Sequence, residues 1–330
     1  MTAAATATVI VFGATGFVGS ATVDALRRRN VLVVPMRAPR LPPVLGNQVR
    51  QVLTSYDALV ADLARQITGV AAVINAAGNP DASIRHEAQL MAPDALLPAI
   101  LARAVREARV QRFVHVSSAV VQGSADILDE SENVATFSAY SRSKALGEEL
   151  VREVAGPSAV IYRPPSVHAS DRRVSRMTAR LARSPMSSVA RPGSSPSPQA
   201  LLQNVADAIA FLSTCAERPP SIVAHPTEGL TTASVLALLG GRQPVEIPRV
   251  LARAVVGTLT AAGRAMPALA ANARRVEMLW FGQAQASSWL TRAGWTAPAG
   301  QDAWRELGRT LAETSSGRGM GYSATKGREQ

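Results

Sequence analysis

Between Val9 and Ser20 the chain reads VIVFGATGFVGS, an apolar, β-branched run followed by three glycines, Gly13, Gly16 and Gly19, each three residues from the next. No other feature constrains the fold as tightly. A strand that turns at once into a helix needs glycine wherever backbone meets backbone or a ligand. Gly13 allows the sharp turn, Gly16 beside Thr15 lets a diphosphate approach the main chain, and Gly19 lets the helix lie close on the sheet. The amides of Phe17 and Val18 open that helix, where the helix dipole favours an anion.

From about residue 7 to residue 161, short apolar runs alternate with longer amphipathic stretches. Strands are expected over 8–12, 31–35, 72–75, 113–117 and 159–162, and helices over 20–29, 56–67, 92–108 and 139–154. This order belongs to the α/β class and predicts a Rossmann-type doubly wound parallel sheet. After Arg163, prolines and a Ser/Pro/Gly-rich run over 184–198 break the pattern. Helices are expected at 201–215, 234–239, 248–262 and 284–293, with an added strand at 221–224, as a smaller C-terminal substrate-binding lobe. The expected division is 1–165 for the dinucleotide-binding part and 166–313 for the lobe, interleaved with late sheet strands. The Gly/Ser/Lys/Arg-rich stretch 314–330 is expected to be a disordered tail.

Cysteine and histidine narrow the chemistry. Cys215 is the single cysteine, and His86, His115, His168 and His225 have no metal-ligand spacing, so neither a disulfide nor a metal site is expected. The N-terminus lacks a basic leader, and the apolar run 250–269 is interrupted by Arg253 and Arg264, so the expectation is a cytoplasmic protein without a membrane span. Net charge is +11, from 16 basic and 14 acidic residues over 1–170 and 19 and 10 over 171–330. The excess is dispersed arginine with few aromatics nearby, which disfavours nucleic acid and suits an anionic small molecule.

At the end of the second strand, where a ribose diol would call for Asp or Glu, the chain reads PMRAPR over 35–40. Arg37, with Arg40 as a second candidate, suits a 2′-phosphate, which points to NADP (NADPH) over NAD. Tyr140 and Lys144 lie four apart at the start of a helix and share a face. An ammonium beside a phenol is expected to draw the phenol's pKa towards neutrality and ready it for proton transfer. Ser117 and Ser118 end the fourth strand, where the hydroxyl of Ser118 is placed to bind the same substrate oxygen.

The glycine turn, Asn75-Ala76-Ala77-Gly78, the run from Val110 to Ser118, Tyr140 with Lys144, and Arg163-Pro164 together resemble the extended short-chain dehydrogenase/reductases, the NAD-dependent epimerase/dehydratase group. The resemblance implies hydride transfer to or from nicotinamide, with Tyr140 as general acid/base, Ser118 orienting the substrate, and Lys144 tuning the tyrosine and holding the nicotinamide ribose. It places Ala76, Ala77, Pro164 and Val167 beside the cofactor, and Ser166, Arg274 and Arg275 beside the substrate. It also implies a nucleotide-activated sugar that is reduced or epimerised, and a homodimer built on helices 92–108 and 139–154. Reduction of an apolar ketone and a non-catalytic NADP-binding sensor or assembly role stand as alternatives. The chain departs from the group at Asp94, where asparagine is usual, and at Gln122. Where the group's third strand would close, near Leu53 and Thr54, no acidic residue stands.

Overall fold

The computed structural model describes residues 7–79, 84, 86–265 and 267–317. Six parallel strands form the central sheet: β1 (Thr8–Phe12), β2 (Leu32–Met36), β3 (Ala72–Asn75), β4 (Phe113–Val116), β5 (Ala159–Arg163) and β6 (Ile222–Ala224). Their spatial order is β2-β1-β3-β4-β5-β6. The register sets Phe12 opposite Asn75, Asn75 opposite His115 and His115 opposite Ile161, so these strands finish nearly level. The order reverses between β1 and β3, and a doubly wound sheet binds its ligand in the crevice beyond that reversal.

Alternation along the strands covers both faces. Ile10, Phe12, Val73, Phe113 and Ile161 point into one core layer with α2 (Asp57–Gln66), α3 (Glu87–Glu107) and α4 (Ala139–Ala155). Val9, Val11, Ile74, Val114 and Tyr162 point into the opposite layer. Val23 and Leu26 of α1 (Phe17–Arg28), Val205 and Ile209 of the helix Leu202–Thr214, and Trp289 and Trp295 fill it. Strands buried on both faces read as continuous apolar runs, as parallel sheets require. A third cluster, including Ala182, Leu236, Leu239, Trp304 and Leu311, holds the C-terminal helices together.

The expected sheet strands and most helices are present within a few residues, with four differences. The segment at Leu53 and Thr54 is helical (Val49–Leu53, then a 3-10 turn Thr54–Tyr56), not a strand, because Val49 and Leu53 lie four apart and bury one helical face. The strand β2 is therefore one edge of the sheet. Residues 284–293 form a two-residue strand, Ala284–Gln285, and a short helix, Trp289–Arg292, in place of one helix. Helices at Arg173–Arg183, Pro267–Phe281 and Gln301–Gly317 go beyond the expected set, and the last runs into the stretch expected to be a tail. Residues 318–330 lie outside the described residues. Finally, α3 begins at Glu87 and carries a π turn over Ala92–Leu96, around Pro93. This helix is long and apolar enough to cross a membrane, yet most of its apolar stretch is buried in the core.

Candidate active site

The glycine turn folds as its spacing demands. Gly13 has φ of +77°, and a Cβ there would lie 2.6 Å from the Ala77 nitrogen, so the end of β1 is pressed against the end of β3. A Cβ at Gly19 would lie 2.1 Å from the Gly13 carbonyl oxygen. The turn closes through the Gly16 amide, which donates to the Gly13 carbonyl at 2.9 Å, and the Gly13 amide donates to the Met36 carbonyl at 3.2 Å. That second bond brings the β2 end, with the exposed Arg37 and Arg40 after it, next to the glycines. Thr15 and Gly16 are exposed at the mouth, and Phe17 and Val18 are partly buried at the helix start. Two glycines, Gly13 and Gly19, that tolerate no side chain where backbone meets backbone, with the exposed Gly16 in the open turn between them, fit a dinucleotide diphosphate.

At the end of β3, Asn75 is sealed in the sheet. Its side-chain oxygen accepts from the Ala77 amide at 3.0 Å, and its amide nitrogen lies 3.2 Å from His115 Nδ1. Ala76 donates its amide to the Phe12 carbonyl at 3.0 Å, which fixes the wall opposite the glycine turn. Burial, helped by the charge of Lys144, lowers His115 to about 3, so the ring is neutral.

The serines at the end of β4 have different environments. Ser117 is buried and donates to Glu148 Oε1 at 2.5 Å. Glu148 in turn holds the buried Arg163. Ser118 is partly exposed, and its hydroxyl accepts from the Val120 amide at 3.3 Å, capping the 3-10 turn Ala119–Gln122. Pro164 supports this turn by accepting the Ala119 amide at 2.8 Å. Of the two, Ser118 is the hydroxyl that can meet a substrate.

The helix α4 starts with a capping box in which Ser138 and Ser141 bond each other's backbone amides, so its first turn is rigid. Tyr140 projects from that turn and Lys144 from the next. The Lys144 nitrogen lies 5.9 Å from the centre of the Tyr140 ring and 3.1 Å from Asp94 Oδ1. Burial opposes the Lys144 charge, but Asp94, Tyr140 and Glu148 outweigh it and leave the amine more basic than an ordinary lysine. The Tyr140 phenol does not move as the sequence leads one to expect. Burial raises it above 10.0, and the pull of Lys144 and Arg172 is countered by Asp94. The expectation of a near-neutral phenol is thus corrected: a fully exposed carboxylate would be screened, whereas Asp94 is buried against the same ammonium.

The remaining expected residues are spread more widely. Ser166 opens a short strand, Ser166–His168, with its hydroxyl 3.3 Å from His168 Nε2, and Val167 is partly buried in the second core layer. Arg274 donates to the Gly123 carbonyl at 2.6 Å and to Glu277 at 2.8 Å, which ties the helix Pro267–Phe281 to the turn after Ser118. Arg275 donates to Asn272 at 3.1 Å, near the surface. Gln122 is buried, binding Asp129 and the Asn133 carbonyl. Sequence reading misses Arg172, whose guanidinium carbon lies 4.7 Å from the centre of the Phe17 ring, over the first residue of α1. No local motif marks it. Only the fold carries the segment after His168 back over the glycine turn.

Comparison with known proteins agrees with this geometry. The NAD dependent epimerase/dehydratase family matches residues 9–193, more than half of the chain. A curated relative, the rat mitochondrial NADH dehydrogenase [ubiquinone] 1 alpha subcomplex subunit 9, is 30% identical over 171 residues, 49% of this chain. The match spans only 41% of that relative's length. Among solved structures, human epimerase family protein SDR39U1 (isoform 2) with NADPH superposes with a TM-score of 0.62 at 18% identity, covering 92% of this chain and 99% of the other. UDP-glucuronic acid 4-epimerase from Bacillus cereus in complex with NAD gives 0.61 at 16% identity, covering 93% and 99%. The dTDP-4-dehydrorhamnose reductase of Yersinia enterocolitica gives 0.58 at 14% identity, covering 92% and 99%. At such identities the structures establish a shared Rossmann-type fold, and the family match, which takes in the glycine turn, Ser118 and the Tyr140–Lys144 helix, establishes the family. The chain belongs to the NAD dependent epimerase/dehydratase family.

Proposed function

We propose that the protein is an NADPH-dependent reductase of a nucleotide-activated keto sugar, with Tyr140 as the proton donor. The observation that carries this reading is the pairing of Tyr140, on the rigid first turn of α4, with the Lys144 ammonium 5.9 Å from its ring, on a helix that packs against β4 and the turn capped by the partly exposed Ser118. When bound, a nicotinamide dinucleotide supplies or accepts the hydride. Gly13, Gly16, Gly19, Phe17 and Val18 would hold its diphosphate, with Arg172 close above Phe17. Arg37, at the end of β2 where no carboxylate stands, favours the 2′-phosphate of NADPH over a free ribose. Ser118 orients the substrate oxygen, and Tyr140 passes it a proton. The nucleotide sugar is suggested by the activities for which the fold neighbours are named and by the basic second half of the chain.

The test is NADPH oxidation against a panel of UDP- and dTDP-linked keto sugars, with Tyr140→Phe as control. The variant should lose turnover by about 10²- to 10⁴-fold and still bind NADPH. Turnover that survives Tyr140→Phe removes the tyrosine from its role. A second reading, in which the dinucleotide is held as a fixed part of a larger redox assembly, is favoured by the likeness to the rat subunit. A panel without turnover, with NADPH still bound, would favour it.

A further inference from the structure

Asp94 lies on the π turn of α3, and the fold surrounds it closely. It has no exposed surface, Lys144 is 4% exposed, and their charged atoms are 3.1 Å apart. Asp94 Oδ1 also accepts the Asn79 amide at 3.0 Å, and Oδ2 accepts from Ser143 Oγ at 3.2 Å. Two glycines make the space. A Cβ at Gly147 of α4 would lie 2.1 Å from the Asp94 carbonyl oxygen, and one at Gly78 would lie 2.9 Å from both Asp94 Oδ1 and Lys144 Nζ. The π turn of α3 carries the carboxylate, and such turns recur at functional positions.

A lone ammonium one helical turn from a phenol stabilises the phenolate. An ammonium already paired with a buried carboxylate presents almost no net charge to its neighbours. We propose that Asp94 is a positioning residue that binds Lys144 as a neutral pair and so keeps Tyr140 protonated, ready to give its proton to a carbonyl oxygen. The proposal deepens the reductase reading and rests on it for the role of Tyr140. In this direction the Tyr140 O–H bond breaks and an O–H bond forms on the substrate oxygen. The carbonyl carbon is reduced by the hydride of the reduced dinucleotide, which is oxidised, and water returns a proton to the phenolate.

The charges around Tyr140 come from three elements: Lys144 on its own helix, Asp94 on α3, and Arg172 ahead of the helix Arg173–Arg183. Lys144 also faces Glu148 on α4 and the neutral His115 on β4. Burial is the largest influence on Tyr140 and raises it, and Asp94 acts in the same sense.

The test requires neither substrate nor cofactor. Phenolate absorbance is titrated in the wild type and in Tyr140→Phe, and the difference isolates Tyr140 from the other three tyrosines of the chain. In the wild type Tyr140 should ionise above 10.0, or not at all before the fold is lost. In Asp94→Asn, at a pH on the rising part of the curve, phenolate should increase by about tenfold, because Lys144 is then unpaired. A wild-type curve below that of free tyrosine overturns the proposal, whether or not Asp94→Asn folds. A folded Asp94→Asn whose curve is unchanged, or displaced to higher pH, overturns it as well. Either result leaves the Tyr140→Phe turnover test untouched, so the two readings fail separately.

Discussion

Glu148 and Arg163 form an ion pair closed off from solvent, with Glu148 Oε2 2.6 Å from Arg163 Nη2 and both residues 2% exposed. The same carboxylate takes the Ser117 hydroxyl, and Arg163 Nη1 donates to the Ser131 carbonyl at 2.8 Å, so α4, β4, β5 and the loop before α4 meet at one point. Removing one partner leaves the other charge buried alone. Glu148→Ala should therefore cost about 3–5 kcal/mol in a denaturant titration. The neighbouring Glu149 pairs with Arg50 at 2.6 Å on the surface, and Glu149→Ala should cost less than about 1 kcal/mol. Equal losses would mean that the buried pair is not what fastens α4 to the sheet.

Gly19→Ala tests the glycine turn. The added methyl would meet the Gly13 carbonyl at 2.1 Å, and backbone on both sides leaves little room to give. Dinucleotide binding, followed by fluorescence, should weaken by at least about tenfold, with a lower melting temperature. Gly257, in the helix Arg249–Ala265, serves as control, since an added methyl there would find nothing within 4 Å. Gly257→Ala should stabilise by roughly 0.5–1 kcal/mol. A Gly19→Ala protein that binds as the wild type does would show that the cofactor groove does not need this close packing.

The proposed preference for NADPH is tested at Arg37. Arg37→Asp should weaken NADPH binding by about tenfold or more, because a guanidinium–phosphate contact is replaced by repulsion, and should leave NADH binding within about threefold. Calorimetry with the two dinucleotides checks it, and equal losses would place the 2′-phosphate elsewhere.

Acid should destabilise the fold in a defined window. Folded His115 is lowered from 6.5 to about 3 and His168 from 6.5 to about 4, both chiefly by burial. Between these values the unfolded chain takes up protons that the native chain refuses. Stability is therefore complete above 6.5 and falls as pH drops, by roughly 1.4 kcal/mol per pH unit for each ring. Urea midpoints across this range should show the slope, and His115→Gln should make it shallower. A flat profile in the wild type would mean that the rings are hydrated or paired when folded.

The features that can be read from the sequence are those whose cause is local. The turn at Gly13, Gly16 and Gly19 and the strands β1, β3, β4 and β5 follow from residues adjacent along the chain, and so does the first turn of α4. The helix Val49–Leu53 escapes such reading because two apolar residues four apart in a five-residue element give too little periodicity to separate it from a strand. Long-range arrangement hides the rest. The acidity of Tyr140 depends on Asp94, which lies 46 positions earlier and reaches the site through a π turn that no pattern announces. Arg172 reaches Phe17 only because the chain after β5 folds back across the sheet's carboxyl edge.

The edge position of β2 has a consequence for handling the protein. With helix where a further strand would extend the sheet, β2 leaves one row of its main-chain groups without a strand neighbour among the described residues, and Leu32 and Val34 are 54% and 40% exposed beside it. Such a margin invites a foreign strand to add on, the first step of many aggregates. Pro35 takes one amide hydrogen out of that row, which border strands tolerate and interior strands do not. Pro35 thus interrupts that margin at one point, close to the glycine turn.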